Sequence, residues 1–187
     1  MVFREQDTHA LHNEPMYDPE LLKKLDFSQS PTKFNPPVTA VNPGENLLVR
    51  PLCRADYEKG RYAEMNACKN TYFITVIEDT ITNRIIGAAT LVIEQKFIHG
   101  CAVRGRLEDV VVNDTYRGKQ LGKLIVATVE LLARQLNCYK LTLDCKDDLI
   151  PFYENLGYEL QPGNSNYMSM RFQNQSPKLF KMLRSKL

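Results

Sequence analysis

LEDVVVNDTYRGKQLG, residues 107–122, changes character twice within one short stretch. It begins as an apolar, β-branched strand and loses that pattern at Asn113 and Asp114. A tight loop around Gly118 follows and opens directly into a helix. The helix is expected to run to about Leu136, because Leu121, Leu124, Ile125, Thr128, Leu132 and Leu136 fall on one face at helical spacing. A helix start presents unpaired backbone N–H groups and a partial positive charge, so it can hold phosphate. Arg117 and Lys119 add formal charge at the same point. Strand, glycine-flanked loop and helix together make a candidate pyrophosphate cradle. Alone, the stretch equally suits a tight strand-to-helix turn with two surface cations. Gly118 and Gly122 fit neither G-x-G-x-x-G nor G-x-x-x-x-G-K-[ST], which disfavours an ordinary dinucleotide or nucleoside triphosphate site.

The 187 residues suit one domain with a sizeable core. With 24 basic and 22 acidic residues, there is no electrostatic reason to expect a nucleic-acid partner. No apolar run reaches membrane-spanning length, and the first residues, MVFREQDTHALHNEP, lack the apolar centre of a secretory signal. Five cysteines without a C-x-x-C pair fit a reducing compartment. The expectation is a soluble cytoplasmic protein with no metal.

Outward from the cradle, the chain divides into an N-terminal arm (1–45, expected to be largely flexible), a central domain (46–173) and a basic tail (174–187). The arm is polar and rich in proline. Within it, residues 18–25 read either as a short amphipathic helix, capped by Asp18 with Pro19 at its first position, or as a transient turn. Strands are expected over 47–52, 72–79, 85–94 and 104–112, the middle two forming a hairpin around a polar turn at 80–84. Residues 55–70 have weak helical character broken by Gly60. Beyond the long helix, 140–145 alternates as a half-exposed strand, and 147–156 is a short helix with Pro151 in its first turn and Gly157 as its stop. Short strands are expected at 158–160 and 167–172, around a turn at Gly163. The last residues, PKLFKMLRSKL, form a basic amphipathic stretch, read as a solvated terminal helix rather than a membrane-surface one. Strands first, then strand-helix-strand-helix-strand, predicts an α/β (α+β) fold with a mixed central sheet and helices on both faces.

Four side chains gather near the cradle in this scheme. Glu108 and Asp109 precede the apolar triplet and, on a regular strand, face opposite ways, so that one enters a site while the other pairs elsewhere. Asp144 ends the next strand at the same sheet edge, and Tyr153 lies on the short helix beyond. Acyl transfer to an amine needs a proton acceptor for the amine, donors for the thioester oxygen and a proton for the departing thiolate. Asp144, the backbone near Val110 and Tyr153 answer these needs in turn. Cys138 and Cys145 suggest a ping-pong nucleophile, but the three histidines lie at 9, 12 and 99, leaving neither thiol a sequence-adjacent base. Buried structural cysteine is the preferred reading.

The loop RGKQLG resembles the Arg/Gln-x-x-Gly-x-Gly/Ala signature of the GCN5-related N-acetyltransferase (GNAT) superfamily, which wraps the pyrophosphate of acetyl-coenzyme A. Gln120 stands where that signature usually has glycine, which is tolerable if residue 120 has ordinary helical dihedrals. From Arg104 to Phe172, with EQKFIHG just upstream, the chain closely resembles the glucosamine 6-phosphate N-acetyltransferase family through RGRLEDVVV, RGKQLGKL, LNCYKLTLDC, PFYENLGY and YMSMRF. The resemblance implies acetyl transfer from acetyl-coenzyme A to the amine of glucosamine 6-phosphate, on the route to UDP-N-acetylglucosamine. It implies that Val110, Val111 and Val112 lie along the pantetheine arm, and that Arg117, Gly118, Lys119, Gln120, Leu121 and Gly122 hold the pyrophosphate. Tyr153 becomes the thiolate's proton donor, with Glu154 and Asn155 in the same region. Lys96, Phe97, Ile98, His99, Glu108, Asp109, Val110, Tyr139 and Lys140 map to the aminosugar pocket. Asp144 maps beside the reacting amine, and Arg171 to the sugar phosphate. The family's enzymes are homodimers that exchange C-terminal strands, which implies a homodimer here and an Arg171 able to serve the neighbouring site.

Two positions depart from the family pattern. Leu149 stands where many GNAT enzymes place an asparagine that bonds the pantetheine. The connection from Leu52 to Tyr72 has room for one helix where the family has two, and lacks the Leu-Thr turn that approaches the sugar phosphate. Coenzyme A binding is therefore expected to persist while sugar affinity falls. Rival readings are an acetyltransferase for a protein or polyamine amine, disfavoured by the cations Lys96, Lys140 and Arg171, and a shortened, non-catalytic dimerisation partner.

Overall fold

The computed structural model describes residues 14–56, 62–163 and 168–170. Five strands form one mixed sheet in the order β1-β2-β3-β4-β5: Leu47–Pro51, Tyr72–Asp79, Arg84–Gln95, Val103–Val112 and Leu141–Thr142. The first four pair antiparallel, and β5 runs parallel to β4 through Gly105↔Leu141 and Arg106↔Thr142. The hairpin between β2 and β3 turns where the sequence placed it. Asp79 Oδ1 accepts from the N–H groups of Ile81 (2.9 Å) and Thr82 (3.2 Å), and Asn83 takes the left-handed conformation that closes the turn.

Four helices matter for the site and its surroundings: α1 (Glu20–Lys23), α2 (Tyr62–Ala67), α3 (Leu121–Gln135) and α4 (Ile150–Glu154). In α3, Leu121, Leu124, Ile125, Val129 and Leu132 are buried and pack into one cluster with Phe73, Ile77, Ile86, Ala89, Leu91 and Leu107 of the sheet. Each fully buried aliphatic side chain contributes about 1.5–3 kcal/mol, so this face anchors the helix whose mouth forms the loop. The helix ends at Gln135, one residue short of the expected Leu136, and Asn137 just beyond its cap takes a positive φ.

The structure departs from the sequence reading in several places. Residues 14–46 do not stand apart from the domain: Met16, Tyr17, Leu22 and Ala40 belong to the core, and the Tyr17 hydroxyl shares a 2.6 Å hydrogen bond with Thr75 on β2. The helix at 18–25 is a single turn; Pro19 is its cap position, while Asp18 Oδ1 accepts the Glu20 N–H at 2.9 Å. Residues 140–145 contribute only Leu141 and Thr142 to the sheet, because β4 bends away beyond Arg106. Residues 158–160 form no strand, and neither do 168–170. Arg171, residues 164–167 of the expected turn and strand, and the basic tail lie outside the described residues. Among the described residues no helix is long and apolar enough to cross a membrane.

Candidate active site

The bend in β4 comes from a single residue. Thr90 pairs with Glu108 and Ala88 with Val111, so Asp109 and Val110 together oppose Ala89. Asp109 has φ 54°, a conformation that aspartate tolerates better than most residues, and the pair forms a β-bulge. The expectation that Glu108 and Asp109 face opposite ways assumed a regular strand, which the bulge interrupts, and both residues line the same cavity. After Arg106↔Thr142 the two parallel strands splay, leaving a cavity of about 330 Å³ between them. Its walls are Leu107, Glu108, Asp109 and Val110 on one side, with Leu143, Asp144, Cys145, Lys146, Asp148, Leu149 and Tyr153 on the other.

Arg106 joins the two walls. Its Nε donates to Glu108 and its Nη2 to Asp144, and these carboxylates push the guanidinium pKa further up, Glu108 most. The sequence reading passed over Arg106, although its i, i+2 spacing to Glu108 puts both on one face of β4. Tyr153 is buried, edge-on to Phe152 (ring centroids 5.1 Å) and Tyr158 (5.7 Å). Burial first, and then Cys145, push its hydroxyl pKa above the ordinary tyrosine value, so it holds its proton at neutral pH. Cys138 is half-buried and Cys145 exposed, not buried as expected, yet slight desolvation and then Asp147, Asp144 and Asp148 push the Cys145 thiol up. A thiol so placed is a poor nucleophile at neutral pH.

The cradle loop adjoins this cavity along the chain. Asn113 Oδ1 caps a short turn at Asp114–Tyr116 by accepting the Thr115 N–H at 3.0 Å. Gly118 then takes φ +83°, and a Cβ built there would meet no atom within 4 Å. Gln120 does not have the right-handed helical dihedrals expected of it; it is left-handed, at φ 57° and ψ 20°. Its side chain gives α3 no cap, and the first turn of the helix carries no acidic residue. The open amide mouth, with Lys119 and Lys123 beside it and Arg117 paired outward to Asp114 at 3.1 Å, fits a bound diphosphate.

The other expected site residues lie elsewhere. Lys96, Phe97, Ile98 and His99 are in the β3–β4 loop, where His99, Gly100 and Cys101 all have positive φ. Gln95 pairs with Val103, five residues before Glu108 along β4, or roughly 17 Å of strand. The His99 ring packs 5.3 Å from Tyr139, whose face Lys140 Nζ covers at 5.5 Å. Lys96, Phe97, Ile98 and His99 line no part of this cavity, but Tyr139 and Lys140 line a larger adjoining cavity of about 1570 Å³ together with Arg106, Glu108, Asp144 and Tyr153. Phe97 is 99% exposed and Ile98 64%. Among the remaining expected cofactor residues, Val111, Val112 and Asn155 stay off both cavity walls, while Glu154 lines the larger one. Leu149 lines the smaller one and is exposed.

The comparisons agree with this geometry. A sequence profile described as Acetyltransferase (GNAT) family matches residues 45–158. A probable glucosamine 6-phosphate N-acetyltransferase of Drosophila melanogaster is 59% identical over 179 residues, covering 84% of this chain and 81% of that protein. That alignment is longer than the part of this chain it takes in, so it contains gaps on this chain's side. Glucosamine 6-phosphate N-acetyltransferase 1 of Dictyostelium discoideum is 39% identical over 135 residues, 62% of this chain and 86% of that one. The crystal structure of the Arabidopsis thaliana glucosamine-6-phosphate N-acetyltransferase superposes with a TM-score of 0.63 at 31% identity, covering 69% of this chain and all of that one. A sheet splayed at a bulge, a helix mouth left open and these alignments converge: the chain belongs to the GNAT family of acetyltransferases and groups within it with the glucosamine 6-phosphate N-acetyltransferases.

Proposed function

We propose that this protein transfers the acetyl group of acetyl-coenzyme A to the amine of glucosamine 6-phosphate, as a cytoplasmic step toward UDP-N-acetylglucosamine. The observation that carries the reading is the meeting of Glu108, Asp144 and Tyr153 around one cavity at the strand splay, next to an uncapped helix mouth. Acetyl-coenzyme A supplies an acyl group already activated as a thioester. The backbone amides from Gly118 to Gly122 and the side chains of Arg117 and Lys119 hold the diphosphate. The Val110 edge of β4, freed from its ladder by the bulge, offers donors to the thioester oxygen as it gains charge.

Asp144 orients the amine and accepts its proton, directly or through water. The amine nitrogen forms the new C–N bond as the C–S bond breaks, and the Tyr153 hydroxyl gives its proton to the sulfur. Arg106 fixes Glu108 and Asp144 relative to each other, and Glu108 and Asp109 accept hydrogen bonds from the sugar. The raised thiol pKa of Cys145 favours direct transfer over a cysteine-linked acyl intermediate. Lys96, Phe97, Ile98, His99, Tyr139, Lys140 and Arg171 are assigned to the sugar and its phosphate. The distance of Lys96–His99 from Glu108 along the sheet suits a homodimer in which one copy completes the pocket of the other. The exposed apolar tip at Phe97 and Ile98 supports the same arrangement.

The deciding experiment measures thiol release from acetyl-coenzyme A with glucosamine 6-phosphate, with a lysine peptide and with neither. Release confined to the sugar phosphate is expected; release with the peptide alone would overturn the assignment. A second reading rests on the short connection between β1 and β2 and on the gapped alignment. Sugar affinity is then weakened while coenzyme A binding persists, and a normal Michaelis constant for glucosamine 6-phosphate would refute it.

A further inference from the structure

The unusual backbone of Gln120 has a partner far away in sequence. Oε1 of its side chain accepts the Asn35 N–H at 3.0 Å, and Nε2 donates to the Pro36 carbonyl at 3.1 Å. A left-handed conformation at a non-glycine residue is strained, and glycine at 120 would relieve that strain. Only a side chain with a donor and an acceptor at this reach can hold both backbone groups, so the amide has a use that glycine cannot supply. The same segment touches the site a second time. A Cβ on Gly157, which stops the helix carrying Tyr153, would lie 2.6 Å from Pro31 Cγ. Residues 31–36 therefore run from the stop of the Tyr153 helix to the mouth of α3. These are the two places that a single coenzyme molecule has to reach at once, with its sulfur and its diphosphate.

We propose that residues 31–36 act as a strap that fixes the phosphate loop and the Tyr153 helix relative to one another, with Gln120 as its positioning residue for the coenzyme. The inference rests on the reading of the loop as a coenzyme A cradle and adds a segment upstream of the acetyltransferase profile to it. It also predicts reciprocity: if the strap improves coenzyme binding, the coenzyme steadies the strap by the same factor. Lys33 lies exposed within the strap, so trypsin cleavage after it reports that steadying directly.

The test uses the full chain with Gln120→Gly and Gln120→Ala. Both lose the tether, whereas only the glycine variant relieves the backbone. The expected result is a rise of about 3- to 10-fold in the Michaelis constant for acetyl-coenzyme A in both variants, as for one or two neutral hydrogen bonds partly coupled to binding. The constant for the amine acceptor stays unchanged. In the unaltered chain, coenzyme A slows cleavage after Lys33, followed by mass spectrometry of the fragment beginning at Phe34; in both variants that protection is lost while calorimetry still detects coenzyme A. If the variants change coenzyme affinity in opposite directions, backbone strain alone is at work and the strap is overturned. Unchanged affinity with protection retained overturns it too. If the unaltered chain binds no coenzyme A, the cradle reading falls first and takes this inference with it.

Discussion

Two arginine-centred triads sit at opposite ends of the strand order, built from the same charges and used differently. Near the β1 edge, Arg50 holds Asp56 in a fork at 2.6 and 2.8 Å and donates through Nε to Glu78 at 2.6 Å. Asp56 also takes the Cys53 N–H at 2.7 Å. Near β5, Arg106 reaches Glu108 and Asp144 in the same one-to-two ratio. The Asp56 side chain is 13% exposed and that of Asp144 50%. The first triad spends its lone pairs on its own backbone and closes the shortened connection after β1. The second faces a cavity and keeps acceptor capacity, which the proposed reaction would use for its amine. Ionic composition does not separate a staple from a site; burial and unspent hydrogen-bonding capacity do.

The sharpest way to break this comparison is Asp144→Asn. It is expected to lower kcat for acetyl transfer at least about 100-fold, as loss of a general base does, while the melting temperature moves little. A thiol-release assay beside calorimetry reads both, and a fully active variant would make the triads equivalent. Arg50→Ala should do the reverse. It leaves two mostly buried carboxylates facing each other and is expected to cost about 3 kcal/mol in urea unfolding. Gly105→Ala probes the frame that the cavity triad stands on. Its new Cβ would lie 3.0 Å from methyls of both Leu141 and Leu91, and a loss of about 1–2 kcal/mol is expected.

The smallest effect is on acid stability. Burial pushes the Asp56 pKa up, but Arg50 and the Cys53 N–H outweigh it and hold the carboxyl below the usual range. Its contribution is thus present above the ordinary aspartate value of about 3.9 and is lost as pH falls through the lower folded value. Urea midpoints between pH 5 and 3 should fall less steeply in Arg50→Met than in the unaltered chain.

What the sequence made legible follows from periodicity. The hairpin, β4 and α3 were placed nearly to the residue because alternation and a helical apolar stripe persist over many positions. Glu108, Asp144 and Tyr153 were found together because Glu108 lies on a readable strand, Asp144 follows another and Tyr153 lies on a readable helix. The bulge was not readable, since Asp109 adopts its positive φ without a glycine to announce it. Gln120 was misread for the same reason: the side-chain bonds that offset its strain come from residues 35 and 36, which no local pattern connects to 120. The packing of Met16 and Tyr17 escaped notice in a proline-rich polar context, because Thr75 and the β2 face that receive them are distant in sequence. Arg106 was within reach, as a cation one pleat from Glu108. That Lys96–His99 lie away from Glu108 was not readable, because the length of β3 and β4 beyond the bulge sets their distance.

The doubled position at Asp109 and Val110 has one more outcome. Before it, the inward side chain is Leu107; after it, Val110 and Val112 pack inward and Val111 is exposed. The strand changes phase there, from odd to even numbers. Deleting Asp109 would leave Val110 opposite Ala89 and restore plain alternation, with Val110 and Val112 still inward and Val111 still outward, but the bend would be lost. The spare residue lets the strand set two carboxylates in succession off the core while keeping its apolar side inward on either flank, which strict alternation would forbid.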